Sequence, residues 1–142
     1  MRLNPVLEKH LGYCLYRVAV KFRAIVDQAL ADENLVAPQF GMLNILKSTN
    51  GINQMTLGQQ MGLDKATVVK LLDGLEAAGH VVRAASDTDR REKLLKVTTK
   101  GLKYIDRVIP RIKAVETEFL QPLSDAERLV FVKAISKLMQ PK

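Results

Sequence analysis

The chain has 142 residues, enough for one domain with a sizeable core. Hydrophobic residues make up 47% and charged residues 26%, a balance that argues against disorder. The 22 Lys and Arg outnumber 15 acids, and the net charge of +7 points to an anionic partner such as nucleic acid. One cysteine, Cys14, excludes an intrachain disulfide and a cysteine-based zinc site. The N-terminal MRLNPVLEKHLG carries charges where a signal peptide needs an apolar run, and no uncharged apolar run reaches membrane-spanning length. The expected location is the cytoplasm, with no membrane partner. Residues 37–100 hold nine bases against six acids and residues 101–142 eight against five. With no basic tail, a polyanion site has to be built by the fold.

From Asn4 onward, apolar residues recur at Leu7, Leu11, Cys14, Val18, Phe22, Ile25 and Ala29, which predicts one long helix to about Asp32. Pro5 suits the first turn after an Asn4 cap. Ala37-Pro38 opens a second helix through Phe40, Leu43, Leu46 and Lys47, closed by STNG at 48–51. Two short helices follow. In MTLGQQMGL, Thr56 is the expected cap, with Leu57 and Met61 inward. In DKATVVKLLDGLEAAGH, Asp64 is the cap, Val68, Leu71, Leu72 and Leu75 the inward stripe, and Gly79 the stop. The β-like runs VVRAA and KLLKVT flank a polar stretch, Ser86 to Glu92, and predict a hairpin. Its loop should be wide, because no glycine is there for a two-residue turn. Thr98 or Thr99 caps a long helix carrying Leu102, Ile105, Ile109, Ile112, Val115 and Phe119, with Pro110 inside it removing one hydrogen bond and kinking it. Ser124-Asp125-Ala126-Glu127 is a capping box opening a last helix through Leu129, Val132, Ile135 and Leu138. His10 and His80 have no partner at catalytic or metal-ligand spacing, and His80, just past a helix stop, is expected to be exposed.

Two short helices joined by Gly62-Leu63 and followed at once by a hairpin describe a winged helix-turn-helix. The expected fold class is mainly α with a small β-hairpin wing. One integrated domain would hold an N-terminal dimerisation helix (1–36), a winged helix-turn-helix DNA-binding lobe (37–100) and C-terminal dimerisation helices (101–142). The outer residues of the helix after Asp64 are Lys65, Ala66, Thr67, Val69, Lys70 and Asp73. The leading ones are small, hydroxylated or basic, as an element lying in a major groove requires. Lys65 and Lys70 can neutralise phosphates or reach guanine edges, Thr67 can hydrogen-bond a base or phosphate, and Val69 can meet a thymine methyl. Alone, such a face is more often simply solvated; the hairpin that follows favours DNA.

These residues resemble the MarR-type winged-helix transcriptional regulators. MGLDKATVVKLLDGLEAAG is similar to that family's recognition-helix segment, at Gly62, Leu63, Asp64, Thr67, Val68, Leu72, Leu75, Glu76 and Gly79. The hairpin resembles its wing signature, an Asp-x-Arg followed by Leu-Thr and Gly, here Asp89, Arg91, Val97-Thr98 and Gly101, with Val in place of Leu. The likeness extends to QFGMLNIL at 39–46 and to the outer helices. It implies a wing that projects toward the minor groove with an arginine at its tip entering it, where a narrow groove concentrates negative potential. Either Arg90 or Arg91 can be that residue. Asp89, two residues from Arg91, is expected to hold its side chain by a bidentate pair.

The first and last helices carry apolar stripes too wide for a 60-residue winged helix to cover, and uncovered stripes mark interfaces. A two-fold homodimer built from the first, fifth and sixth helices resembles the family's architecture. It would set two recognition helices on the half-sites of a pseudo-palindromic operator in double-stranded DNA. Relatives hold small phenolic or aromatic carboxylates between dimer helices and DNA-binding lobe. The likeness of YCLYRVA to the family's first helix makes Tyr13, Tyr16 and Arg17 candidates for such an effector, Arg17 pairing with a carboxylate. A surface arginine between two half-buried tyrosines is an equal reading. No nucleophile–base pair, phosphate loop or metal cluster occurs, so neither enzyme activity nor a cofactor or metal is expected. The reading is a homodimeric DNA-binding regulator, a repressor released by a small aromatic or anionic ligand. Its rivals are a winged-helix module for protein contacts alone and a redox regulator acting through Cys14. In the family's organic-peroxide branch the cysteine lies two residues earlier relative to Leu15-Tyr16, where this chain has Gly12, and a cysteine on an apolar stripe is usually inert.

Overall fold

The helix expected from Asn4 to Asp32 divides into three pieces, in the computed structural model that describes residues 4–49 and 51–141. Asn4 Oδ1 accepts the Val6 amide at 3.0 Å in a side-chain turn, but it is not the expected helix cap: the first element is only a 3₁₀ turn, Leu7–Lys9, which starts on Val6 with no side-chain cap. His10 is extended (φ −101°, ψ 107°), and α1 starts afresh at Leu11–Leu30. The Cys14 thiol, donating to the Glu8 carbonyl at 3.4 Å, ties the turn to the helix. A second 3₁₀ turn, Ala31–Glu33, follows α1 and closes on Asn34 at φ 55°, a left-handed conformation that asparagine tolerates better than most residues.

α2 (Ala37–Ser48) starts where expected. Asp27 Oδ1 of α1 accepts the Ala37 amide at 2.8 Å, and Gln39 Oε1 accepts that of Val36 at 3.0 Å. Gln39 is buried and reaches across to the helix that follows Asp64, its Nε2 donating to the Leu71 carbonyl. The expected STNG closure includes Asn50, which lies outside the described residues. α3 (Gln54–Met61) is capped by Asn53, not Thr56: Asn53 Oδ1 accepts the Thr56 amide at 2.8 Å. Both residue types cap well, and the helix starts one turn earlier than the apolar pattern suggests. Gly62, at φ 65°, ends α3 with a left-handed turn. α4 (Lys65–Ala77) then starts on Asp64, as expected.

β1 (Val81–Ala85) and β2 (Lys93–Val97) pair antiparallel, with Val81 opposite Val97 and Ala85 opposite Lys93. A contact the sequence did not announce extends this ribbon: Ile52 bridges Leu95, whose amide donates to the Ile52 carbonyl at 2.8 Å. α5 (Thr99–Phe119) is capped by Thr98 and continues across Pro110 to Phe119, whose ring packs edge-on against Phe22 at 5.0 Å. α6 (Asp125–Met139) opens on the predicted capping box, with Ser124 Oγ accepting from the Glu127 amide and Glu127 Oε2 from that of Ser124.

One apolar core joins the second half of α1 to α2, α3, α4, the hairpin and α5. Leu30, Met42, Leu43, Leu57, Leu72, Leu75, Tyr104 and Ile105 are fully enclosed. The predicted inner stripe of α4 is present, Val68, Leu72 and Leu75 buried and Leu71 half-buried against them. α6 buries no residue. No helix among the described residues is long and apolar enough to cross a membrane.

Candidate nucleic-acid interface

The outward side of α4 is set by its cap. Asp64 Oδ1 accepts the Thr67 amide at 2.9 Å and Oδ2 accepts the Thr67 hydroxyl at 2.6 Å. These bonds to Thr67 hold the Asp64 carboxyl below the usual carboxylate range. The Thr67 hydroxyl therefore has its proton committed to Asp64 and offers a ligand only acceptor lone pairs. Lys65, Ala66 and Lys70 are exposed, Val69 is half-buried, and these four line one shallow open depression together with Asp73. Such a surface offers two ammonium groups beside small apolar groups.

The wing tip orders itself. The Ser86 amide donates to the Glu92 carbonyl at 2.9 Å, and the Glu92 amide to the Asp89 carbonyl at 3.1 Å. Asp89 does not clasp the Arg91 guanidinium as expected. Its Oδ1 accepts the Arg91 backbone amide at 2.9 Å, the local side-chain turn that aspartate makes two residues ahead of an amide. This bond shapes the loop and leaves the Arg91 guanidinium out of it. Arg90 and Arg91 are exposed, and neither enters an ion pair among the described residues. Glu92 accepts from Asn53 Nδ2 at 2.7 Å, fastening the loop to the cap of α3.

Sequence reasoning missed Arg83. Projecting from β1, it donates Nη1 to Glu76 Oε2 at 2.7 Å and Nη2 to Asp73 Oδ1 at 3.1 Å, linking the hairpin to α4. A strand position without an adjacent acid gave no signal of this.

The root of the wing corrects another expectation. His80 is 6% exposed, its ring 4.8 Å from that of Tyr104. The chain turns back after Gly79 into β1, and that reversal carries His80 under α5, where the Thr98 amide donates to its carbonyl at 3.0 Å. Among the described residues, Nδ1 of His80 and the Tyr104 hydroxyl have no hydrogen-bond partner. Burial, and then the Lys100 charge, hold the imidazole below its ordinary value, and burial pushes Tyr104 up to about 12. The unfolded chain therefore protonates His80 first as pH falls below about 6.5, so stability declines from there until the folded-state value is passed. The urea midpoint should accordingly be lower at pH 5.5 than at pH 7.5. His80→Phe should flatten the difference; an unchanged difference counts against this assignment.

The candidate effector residues share α1. Tyr13 and Arg17, one turn apart, are half-buried, Tyr16 is 63% exposed, and Arg17 makes no ion pair among the described residues. The depression on α4 and two others, one beside Gln54 and Met55 of α3 and one beside Lys100 and Arg107 of α5, are lined by other residues.

Residues 34–92, from the turn at Asn34 to the wing tip, match the MarR family. The transcriptional regulator HosA of Escherichia coli O157:H7 is 31% identical over 106 residues, 75% of this chain and 78% of its own length. An HTH-type transcriptional repressor of Mycobacterium bovis is 29% identical over 128 residues, 90% of this chain and 92% of its own. The structure of CouR from Rhodococcus jostii RHA1 bound to p-coumaroyl-CoA is similar across 98% of each chain, with a TM-score of 0.83 and 27% identity.

Proposed function

Because the chain belongs to the MarR family of transcriptional regulators, we propose that it acts as a homodimeric repressor, binding a pseudo-palindromic operator and released by a small aromatic or anionic ligand. The observation that carries the DNA-binding part is the pairing of a basic, small-residue outer face on α4 with two exposed arginines at the tip of the wing that follows it. Lys65, Ala66, Thr67, Val69 and Lys70 read the major groove. Arg90 or Arg91 enters the adjacent minor groove, and Asp89 shapes the turn that presents them. The dimer is supported by α6, which exposes Leu129, Val130, Val132, Ile135, Leu138 and Met139, and repression by the similar repressor of Mycobacterium bovis. For the ligand, support comes from Tyr13 and Arg17 on one side of α1, beside Tyr16, and from the p-coumaroyl-CoA that CouR holds. A ligand that prefers a spacing of the recognition helices unlike that of the DNA-bound dimer releases DNA by linkage.

The test is a titration of DNA from upstream of its own gene at two salt concentrations. Wild-type affinity should fall steeply with salt. Arg91→Ala and Lys70→Ala should each weaken binding by roughly fivefold to a hundredfold, and each lost phosphate contact should lower the slope of log K against log salt by about 0.9. Aromatic carboxylates added to the complex should displace DNA from the wild type and fail to do so from Arg17→Ala. Wild-type affinity and slope in the first two variants sink the contact assignment; displacement that survives in Arg17→Ala sinks the ligand site.

A further inference from the structure

α4 carries its own obstacle to binding a polyanion. Asp73 lines the same depression as Lys65 and Lys70, and Glu76 follows one turn on, both of them exposed. Left alone, these two carboxylates cancel the charge of the two lysines and face approaching phosphates with repulsion. Arg83 answers both at once. Its guanidinium forks between them at 2.7 and 3.1 Å, and its side chain is 26% exposed against 46% for Glu76 and 60% for Asp73. A planar fork can hold two carboxylates in one arrangement; a lysine ammonium cannot do so with the same geometry. Exposed ion pairs of this kind contribute little to stability, so a purely structural account leaves the fork with little to do.

We infer that Arg83 is a positioning residue for DNA recognition, an internal counter-ion that masks Asp73 and Glu76 on the recognition helix. It acts through the two acids and touches no DNA. The inference rests on the DNA-binding reading above, and a double-mutant cycle separates the two.

Operator affinity and melting temperature are measured for the wild type, Arg83→Ala, the pair Asp73→Asn with Glu76→Gln, and all three together. Arg83→Ala should weaken binding on the order of tenfold, with melting within about 2 °C of wild type. The Asn/Gln pair should bind at least as tightly as wild type, and within that background Arg83→Ala should cost less than about twofold. An equal cost in both backgrounds marks a direct DNA contact and overturns the inference, as does no cost in either. A melting loss above about 5 °C in Arg83→Ala assigns the fork to stability and overturns it too. A wild type without salt-dependent DNA binding removes the underlying reading, and the masking role falls with it.

Discussion

Val132→Glu combined with Ile135→Glu is expected to leave the protein monomeric and to lower operator affinity by at least about a hundredfold. α6 has 15 residues and buries none of them. Leu129, Val130, Leu138 and Met139 are 59–79% exposed, and Val132 and Ile135 are 52% and 38% exposed at its middle. A helix this short is marginal by itself in water, and its stability has to come from an apolar cover. Each large aliphatic side chain removed from water contributes about 1.5–3 kcal/mol. The first turns of α1 pose the same demand, with Leu11 74% and Leu15 53% exposed. The proposed homodimer meets both. Glutamate forms helices well, so the double variant removes the cover by charge and not by a loss of helix preference. Two linked recognition helices bind their half-sites with a high effective concentration, which a monomer loses. Sedimentation at micromolar concentration checks the mass, and the wild-type melting temperature should rise with concentration while that of the variant should not. A variant that sediments as a dimer sinks this interface.

What the sequence made legible was what neighbours along the chain decide. Asp64 caps α4, Thr98 caps α5 and Ser124 with Glu127 forms a capping box, each through bonds three residues apart. The hairpin and its wide loop follow from β-branched runs and missing glycine. The misreadings lie where distant residues meet. His80 is expected to be exposed because it follows a helix stop, yet Tyr104 of α5, twenty-four residues downstream, covers it. Arg83 carried no signal, because its partners lie seven and ten residues away on a different kind of element. At the wing, the expected pair of Asp89 with the Arg91 guanidinium gives way to a bond from the Arg91 backbone amide, which lies two residues on and competes well with a long guanidinium that solvent already satisfies. The break at His10 sits inside an unbroken apolar periodicity, which reports which residues share a side and not whether the backbone between them stays helical.

The glycine that closes the wing motif has a packing reason with a large cost attached. Gly101 is buried in the first turn of α5. A Cβ there would fall on the His80 carbonyl oxygen and within 2.7 Å of Val97 Cγ2. Neither can yield easily, because the His80 carbonyl accepts the Thr98 amide at 3.0 Å and Val97 ends β2 opposite Val81. Thr98 completes the knot, its hydroxyl donating to the Gly79 carbonyl at 2.6 Å and accepting from the Gly101 amide at 3.0 Å. Gly101→Ala therefore pushes α5 away from the corner where α4 becomes β1. Overpacking of this kind costs about 1–3 kcal/mol and more where backbone is the obstacle, so melting should fall by roughly 5–10 °C. Because the displaced corner carries both α4 and the wing, operator affinity should drop in the protein that still folds. Gly12→Ala is the matched control: nothing among the described residues lies within 4 Å of its added carbon, and alanine's helix preference should hold or raise the melting temperature. If Gly101→Ala melts with the wild type, the corner is softer than its hydrogen bonds imply, and the motif's glycine needs another cause.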